Sequence, residues 1–428
     1  MPCDRRQFLT GVAGSAALAI AGGGSVRAQP ATGPATPTLP PMSETDWDQL
    51  AGQFTLDRGV VNLNHAGVGS CCQAVLAAVD AHASEIERLP SHHIFQYGPK
   101  LEPIRRDLAQ MLDCDPEEVA LVRNATEALD TILLGLPLRP GDEIVTTTLD
   151  YWAMLDALDQ REKRDGIVVR KVRVPVPAHT EEEIIAAFAA ALTDRTKLIL
   201  VSHPVNLTGQ HFPVASLCAL AHQRGIQVAV DAAQSFGQFP LSARTLGCDY
   251  LGTSLHKWLM GPKGTGLLYV KRDLIPGLWP LFPSGKTRAP DDIRKFELIG
   301  TAPPVHLALA EAIRFHRAIG ADRIAARLLH LRDLWSGPLR AHERFHFHTS
   351  FAPGMSGVIA SFHLRGVNSG DLFQRLFREE KIFTYNVARR TSEFQGLRIS
   401  PGLATTPSEL ERFSETMLRL ARELPSAA

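Results

Sequence analysis

No charge of either sign prevails in this chain of 428 residues: 45 Lys and Arg balance 45 Asp and Glu, for a formal net charge of zero. Without a basic excess there is no electrostatic footprint for nucleic acid or an anionic membrane, which leaves small molecules as the default partner class. Cysteine is scarce and poorly placed for metal binding. Cys3, Cys71, Cys72, Cys114, Cys218 and Cys248 form no C-x-x-C pair and show no histidine spacing that suggests zinc. Long apolar runs are missing too: outside the first residues, no stretch approaches the roughly 18 continuous apolar residues of a membrane helix, so no membrane segment is expected in the mature form. Aromatics are modest at 7%, but a hydrophobic content of 45% at this length can bury a large core, divided over two or three domains.

The first residues read as targeting rather than fold. Asp4-Arg5-Arg6-Gln7-Phe8-Leu9 precedes a mildly apolar Ala/Gly-rich run and then Val26-Arg27-Ala28, a small-x-small cleavage pattern. The arginine pair, the Phe-Leu after it and the weak hydrophobicity favour a twin-arginine export signal over residues 1–28 rather than a general secretory one. That route carries folded proteins, so the expected destination is the periplasm and the export machinery is an expected partner. Cys3 leaves with the signal. The five cysteines that remain are an odd number in an oxidising compartment, so at least one is expected unpaired or buried, and the size of the chain argues against a disulfide framework. Residues 29–45, rich in Pro, Thr and Ala, read as a flexible linker.

From there the pattern is regular. Residues 73–88 and 97–112 read as amphipathic helices, the second with Leu101, Ile104, Leu108, Met111 and Leu112 at helical spacing and with Arg105 and Arg106 expected to face solvent. Between residues 118 and 270, short β-rich runs (EVALV, GDEIVTTT, GIVVRKVRV, KLILVSH, IQVAVDAA, GTGLLYV) alternate with helical stretches such as EEEIIAAFAAAL and VASLCALAHQRG. That alternation predicts an α/β fold with a mostly parallel sheet covered on both faces, and ligands at the carboxyl ends of its strands. Beyond residue 300 an α+β pattern follows: helices near 304–319 and 321–342, a strand at 357–364, a helix at 371–380, a strand at 396–400 and a last helix after Pro407.

Chemistry concentrates at the strand ends. Lys257, in Leu251-Gly-Thr-Ser-Leu-His-Lys-Trp-Leu-Met-Gly-Pro-Lys-Gly-Thr-Gly266, follows an apolar, hydroxyl-bearing run and precedes a glycine-rich turn. By residue type alone it is a solvated lysine. A desolvated lysine amine, however, is a nucleophile toward an aldehyde, and pyridoxal phosphate is the cofactor that needs one. Asp231 ends an otherwise apolar strand, where an acid is costly unless a cation pairs with it; a protonated pyridine nitrogen is such a partner, and an ordinary helix cap is the alternative. Ala125 and Thr126 stand where a strand turns into a helix, a place for an anion or for an ordinary cap. Tyr151 and Trp152 put aromatics at another strand end, one able to stack on a planar ring. Asn206 offers an amide in a turn.

Taken in order, an anion site, an aromatic, an amide, an acid and then a lysine resemble the class V aminotransferase family of fold-type I pyridoxal-phosphate enzymes. The opening LNHAGVG and the segment FQYGPKLEPIRRDLAQML are most similar to isopenicillin N epimerase-like members, and the similarity spans about residues 55–400. The resemblance implies a large α/β domain over residues 46–300 with a seven-stranded-type sheet, its first residues free to join a smaller α+β domain over 301–428. It implies that Lys257 carries the cofactor as a Schiff base, Asp231 pairs with the pyridine nitrogen, Gln234 contacts the ring hydroxyl, and Ala125, Thr126, Ser254 and His256 hold the phosphate. Tyr151 takes the ring-stacking place, Asn206 lies near the ring hydroxyl and the substrate carboxylate, and Arg398 binds that carboxylate. It further implies a homodimer with shared sites, in which Thr301 reaches the partner's phosphate.

Two departures matter. SPGLATT follows Arg398 where the family usually has SP-x-x-YNT, and no cysteine stands between Lys381 and Arg398, where the desulfurases of the family carry theirs. The expected activity is therefore chemistry at the α-carbon of an amino acid or an amino-bearing peptide side chain, of epimerase, aminotransferase or lyase type, with desulfuration disfavoured. Alternatives are a tailoring enzyme for a pyoverdine-type siderophore side chain, to which a similar exported group belongs, and a cofactor-binding protein without turnover.

Overall fold

The computed structural model describes residues 42–283, 289–298, 300 and 303–425. Thirteen strands occur among them. They are β1 (Val61–Asn62), β2 (Val119–Val122), β3 (Glu143–Thr147), β4 (Val168–Val172), β5 (Thr196–Ser202), β6 (Gln227–Asp231), β7 (Tyr250–Ser254), β8 (Gly266–Val270), β9 (Phe345–Phe347), β10 (Ala360–Leu364), β11 (Ile382–Phe383), β12 (Tyr385–Asn386) and β13 (Leu397–Ile399). Seven of them form one sheet in the order β2-β8-β7-β6-β5-β3-β4, parallel except at β8, which runs antiparallel to both neighbours. The protein thus has the expected α/β architecture. Four of the seven strands are buried at every residue, as a sheet covered on both faces requires, and two apolar clusters fill its two sides.

Sequence periodicity locates the helices well. Gln73–Arg88 and Tyr97–Leu112 lie where predicted, and Glu181–Ala191 and Val214–His222 follow the two helical runs in the middle of the chain. One strand of the large sheet escaped it. Tyr250–Ser254 sits at the centre of the sheet, and its Gly252 leaves no side chain because the helix Ala125–Gly135 packs directly on it: an added Cβ would stand 2.7 Å from Leu129. Arg105 also departs from expectation. It is buried, not solvated, and holds Glu297 at 2.6 Å and Glu102 at 3.2 Å while donating to the Val119 carbonyl, whereas Arg106 is exposed. A charge is tolerated there because carboxylates and a carbonyl satisfy it.

A second sheet, β12-β13-β10-β9, is antiparallel and carries the long helices Ala321–Arg340 and Pro407–Glu423. Trp335, fully buried, packs among Phe347, Phe362 and Phe413 at its centre. The first strand, β1, pairs in parallel with β11, so residues 61–62 are held by the carboxyl-terminal part. This pairing carries the residues just after β1, Asn64 to Gly69, across to the carboxyl end of the large sheet. No helix among the described residues is long and apolar enough to cross a membrane.

Candidate active site

Strand β7 ends at Ser254, and the chain then makes a tight loop before β8. Leu255 N–H donates to the Thr265 carbonyl, Gly261 N–H to the Leu255 carbonyl, and Met260 N–H to the Lys257 carbonyl, which fixes Lys257 at the carboxyl end of the sheet. Other segments clamp the same loop. Gly69 N–H donates to the His256 carbonyl at 2.9 Å, and the His65 ring lies 3.2 Å from the Lys257 carbonyl. Position 69 admits only glycine at this approach, since a Cβ would stand 2.2 Å from that carbonyl.

The Lys257 amine opens into a cavity of about 370 Å³ lined by the ends of β2, β3, β5, β6 and β7 and by Tyr385, Arg390 and Arg398 from the carboxyl-terminal part. Every residue anticipated for this site lines it except Thr301, which lies outside the described residues. Burial lowers the Lys257 pKa to about 8; Asp231 opposes the shift and Arg398 adds to it. The amine lies 6.0 Å from the centre of the Tyr151 ring.

Asp231 is buried and accepts from Ala233 N–H at 2.9 Å, with no ion pair within 4 Å among the described residues; burial raises its pKa. Gln234 is held at both ends, donating to the Ala66 carbonyl at 3.1 Å and accepting from the Trp258 indole at 2.9 Å. At the helix start, Asn124 caps Glu127 N–H and Ala125 N–H donates to the Ser254 hydroxyl at 2.9 Å, so two residues expected to face an anion are bonded to each other. Thr126 lies in the first turn of that helix. Burial holds His256 neutral, its pKa lowered to about 4.

Arg398 is buried on the opposite side. It donates to the Asn206 carbonyl at 2.9 Å and to Asn64 Oδ1 at 2.6 Å, and stacks 4.3 Å from the Tyr385 ring centre. With no carboxylate partner among the described residues, its guanidinium has a pKa lowered to about 10 by burial. Arg398 Nε and Asn206 Oδ1 are both buried without a hydrogen-bond partner among the described residues. Buried polar atoms are normally satisfied, so two orphans on one cavity mark groups that await a ligand.

Sequence reasoning missed Asn64, Asp150, Tyr385 and Arg390. Asp150 lies behind the cavity, its carboxylate accepting from Thr146, Thr147 and Ser202; burial raises its pKa. A turn following a strand that ends in Thr-Thr-Thr was the signal for it. Tyr385 and Arg390 had none, because they are distant in the chain and have no fixed spacing from Lys257.

These groups fit pyridoxal phosphate: an amine for the aldehyde, a buried acid for the ring nitrogen, an aromatic beside the amine, and a helix start with hydroxyls and an imidazole for the phosphate. Residues 61–413 match the family model described as aminotransferase class-V. The chain belongs to the class V aminotransferase family. Its cofactor is pyridoxal phosphate.

An isopenicillin N epimerase of Amycolatopsis lactamdurans is 30% identical over 400 residues, spanning 89% of this chain and 100% of that protein. A probable cysteine desulfurase of Synechocystis sp. is 29% identical over 285 residues, 63% of this chain and 67% of its own length. Among solved structures, a cysteine desulfurase from Escherichia coli matches with a TM-score of 0.77 at 21% identity over 90% of this chain and 100% of that one. A C-DES mutant with glycine covalently linked to its PLP cofactor matches with a TM-score of 0.75 at 24% identity over 86% and 98%. These likenesses carry the fold: this is a fold-type I class V enzyme.

Proposed function

We propose that this class V enzyme acts at the α-carbon of an amino acid, or of a peptide side chain that keeps a free α-amino and α-carboxylate group, with epimerase-type proton exchange as its leading chemistry. The observation that carries the reading is that the Lys257 amine and the Arg398 guanidinium face one cavity, the first beside Asp231 and the second without an acid partner among the described residues. Near-complete coverage of two isopenicillin N epimerases supports the same class. Cysteine desulfurases also stand among the relatives, so family membership alone leaves desulfuration open. Against it speaks the cavity lining: none of its residues is a cysteine, and the segment between Lys381 and Arg398 has none.

Bound pyridoxal phosphate supplies an electron sink for the α-carbon. The protein does the rest. Arg398 presents a planar pair of donors to the α-carboxylate and fixes the substrate's orientation. Asp231, which has no ion pair within 4 Å among the described residues, would keep the ring nitrogen protonated. Lys257 takes the α-proton and can return it, and a pKa near 8 leaves a useful fraction of the amine neutral close to neutral pH. The Tyr151 ring and the enclosing walls keep water away from that proton.

We also propose export by the twin-arginine route to the periplasm, and a homodimer. The arginine pair at residues 5 and 6 supports the first, and the apolar exposure of Trp279 (71%) and Phe282 (48%), next to the helix Ala125–Gly135, supports the second. An Arg5→Lys, Arg6→Lys double variant should stay in the cytoplasm on fractionation. Light scattering of the mature protein should give twice the chain mass; a monomer would refute the dimer.

The deciding experiment is to incubate the yellow holoenzyme with candidate amino substrates in deuterated water and follow α-deuterium incorporation by mass spectrometry, against Lys257→Ala. Exchange without an α-keto acid supports the epimerase class. A second half-reaction that needs an α-keto acid would identify an aminotransferase instead, and a colourless protein that takes up no cofactor would overturn the whole reading.

A further inference from the structure

Arg390 has no role in any of the chemistry above, yet it lines the same cavity as Lys257 and Arg398. It follows the short turn Val387–Arg389, where its own N–H donates to the Val387 carbonyl at 2.9 Å. Its guanidinium lies 4.1 Å from the centre of the Trp152 ring, and Trp152 in turn packs against Tyr151, with ring centres 5.4 Å apart. Arg390 has no ion pair among the described residues. Asp156 lines the adjoining surface groove with it and forms none, and Glu393, three residues on, pairs with Arg173 at 3.6 Å.

Stacking on an indole holds a guanidinium by its face and leaves the N–H edge free, which is the edge that grips a carboxylate with two parallel hydrogen bonds. The charge within the cavity has the same sense. With Asp231 committed to the ring nitrogen and the substrate amine taken by the reaction, two guanidiniums remain, and the substrate α-carboxylate answers only Arg398. The second, Arg390, is exposed and lines the adjoining surface groove as well as the cavity, so it stands at the rim, where the far end of a substrate side chain would lie.

We propose that Arg390 is a specificity-determining residue that selects substrates bearing a second anionic group, a carboxylate at the end of the side chain. The substrate class is then a dicarboxylic amino acid, or a peptide or amide carrying an acid at the corresponding distance. The proposal rests on Arg398 as the α-carboxylate site, but it can fail or stand independently of the chemistry at the α-carbon.

The test uses the holoenzyme and two readouts. Calorimetric binding of glutarate is compared with that of valerate, which has the same chain length and one carboxylate, and α-deuterium exchange of glutamate is compared with that of glutamine. Wild type should favour the doubly acidic member of each pair by about tenfold, the value of one charge-assisted contact at a partly open site. Arg390→Gln should erase that preference while leaving valerate binding and the cofactor's visible band unchanged, and Arg390→Lys should restore part of it. Equal binding of glutarate and valerate to wild type would overturn the proposal, as would a preference that survives in Arg390→Gln. If no amino acid exchanges its α-hydrogen but the glutarate preference persists and depends on Arg390, the reaction class is wrong and the anion subsite stands.

Discussion

Removing the charge of Lys257 should change how stability depends on pH, and by an amount that the structure sets. Its amine is pushed from the ordinary lysine value of 10.5 to about 8 by burial in the cofactor-free cavity. Between those values the unfolded chain holds the proton and the folded chain does not, so folding stability rises with pH across the window; below about pH 8 the full cost of burying the ammonium is present. At 1.36 kcal/mol per pH unit, integration from pH 7 to pH 10 gives roughly 2.5 kcal/mol. A methionine of similar length carries no such term. Cofactor-free wild type and Lys257→Met, unfolded in urea at both pH values, should therefore differ in their pH dependence: wild type gains about 2.5 kcal/mol relative to the variant on going to pH 10. Other titrating groups largely cancel in the difference. Parallel curves would mean that the cavity does not desolvate the amine, and the argument for Lys257 as a partly neutral base near neutrality would fall with it.

Asp231→Asn removes the one carboxylate that lines the cavity among the described residues, so exchange at the α-carbon should fall by about 10²-fold or more, with a shifted visible band showing that cofactor is still bound. Arg398→Gln should raise KM for amino acids far more than it lowers the rate of α-exchange at saturation, because it removes a contact made before and during the reaction. Arg105→Ala leaves Glu297 without its buried cation, while Glu102 keeps Arg294 at 2.7 Å, and should cost about 3–5 kcal/mol in urea denaturation. Gly402→Ala would place a methyl 2.3 Å from the His65 ring, which contacts the Lys257 carbonyl; a loss of about 1–3 kcal/mol and slower exchange are expected, measured on the same samples.

How much of this was legible beforehand follows from where the signals sit. Asp231 and the helix start at Ala125 each stand at the end of an apolar β-rich run, and strand ends in a parallel sheet are where ligands gather, so periodicity alone pointed to them. Strand β7 did not announce itself because its central Gly252 is dictated by a helix packed above it, a tertiary requirement that local propensity does not contain. Arg105 shows the opposite failure. Its position four residues after Leu101 and three before Leu108 put it inside the apolar stripe, and its charge outweighed that spacing in the reading; the deciding partner, Glu297, lies 192 residues away. Arg390 and Tyr385 reach the cavity only through the folding of the carboxyl-terminal part over the large sheet, a placement with no local pattern.

That placement explains why one lysine depends on so much of the chain. The loop bearing Lys257 belongs to the large sheet, but its carbonyls are held by His65 and Gly69, and Gly402 abuts the His65 ring. The segment with His65 is held in turn by β1 pairing with β11 and by an isolated bridge between Asn64 and Ser400. Arg398, two residues before Ser400, donates to Asn64 as well as to the Asn206 carbonyl. The backbone under the amine and the guanidinium that receives the carboxylate are therefore fixed by one network spanning the start, middle and end of the chain. A displacement of the carboxyl-terminal strands would move Arg398 and loosen the Lys257 loop together, which couples substrate position to base position through hydrogen bonds rather than through a single rigid element.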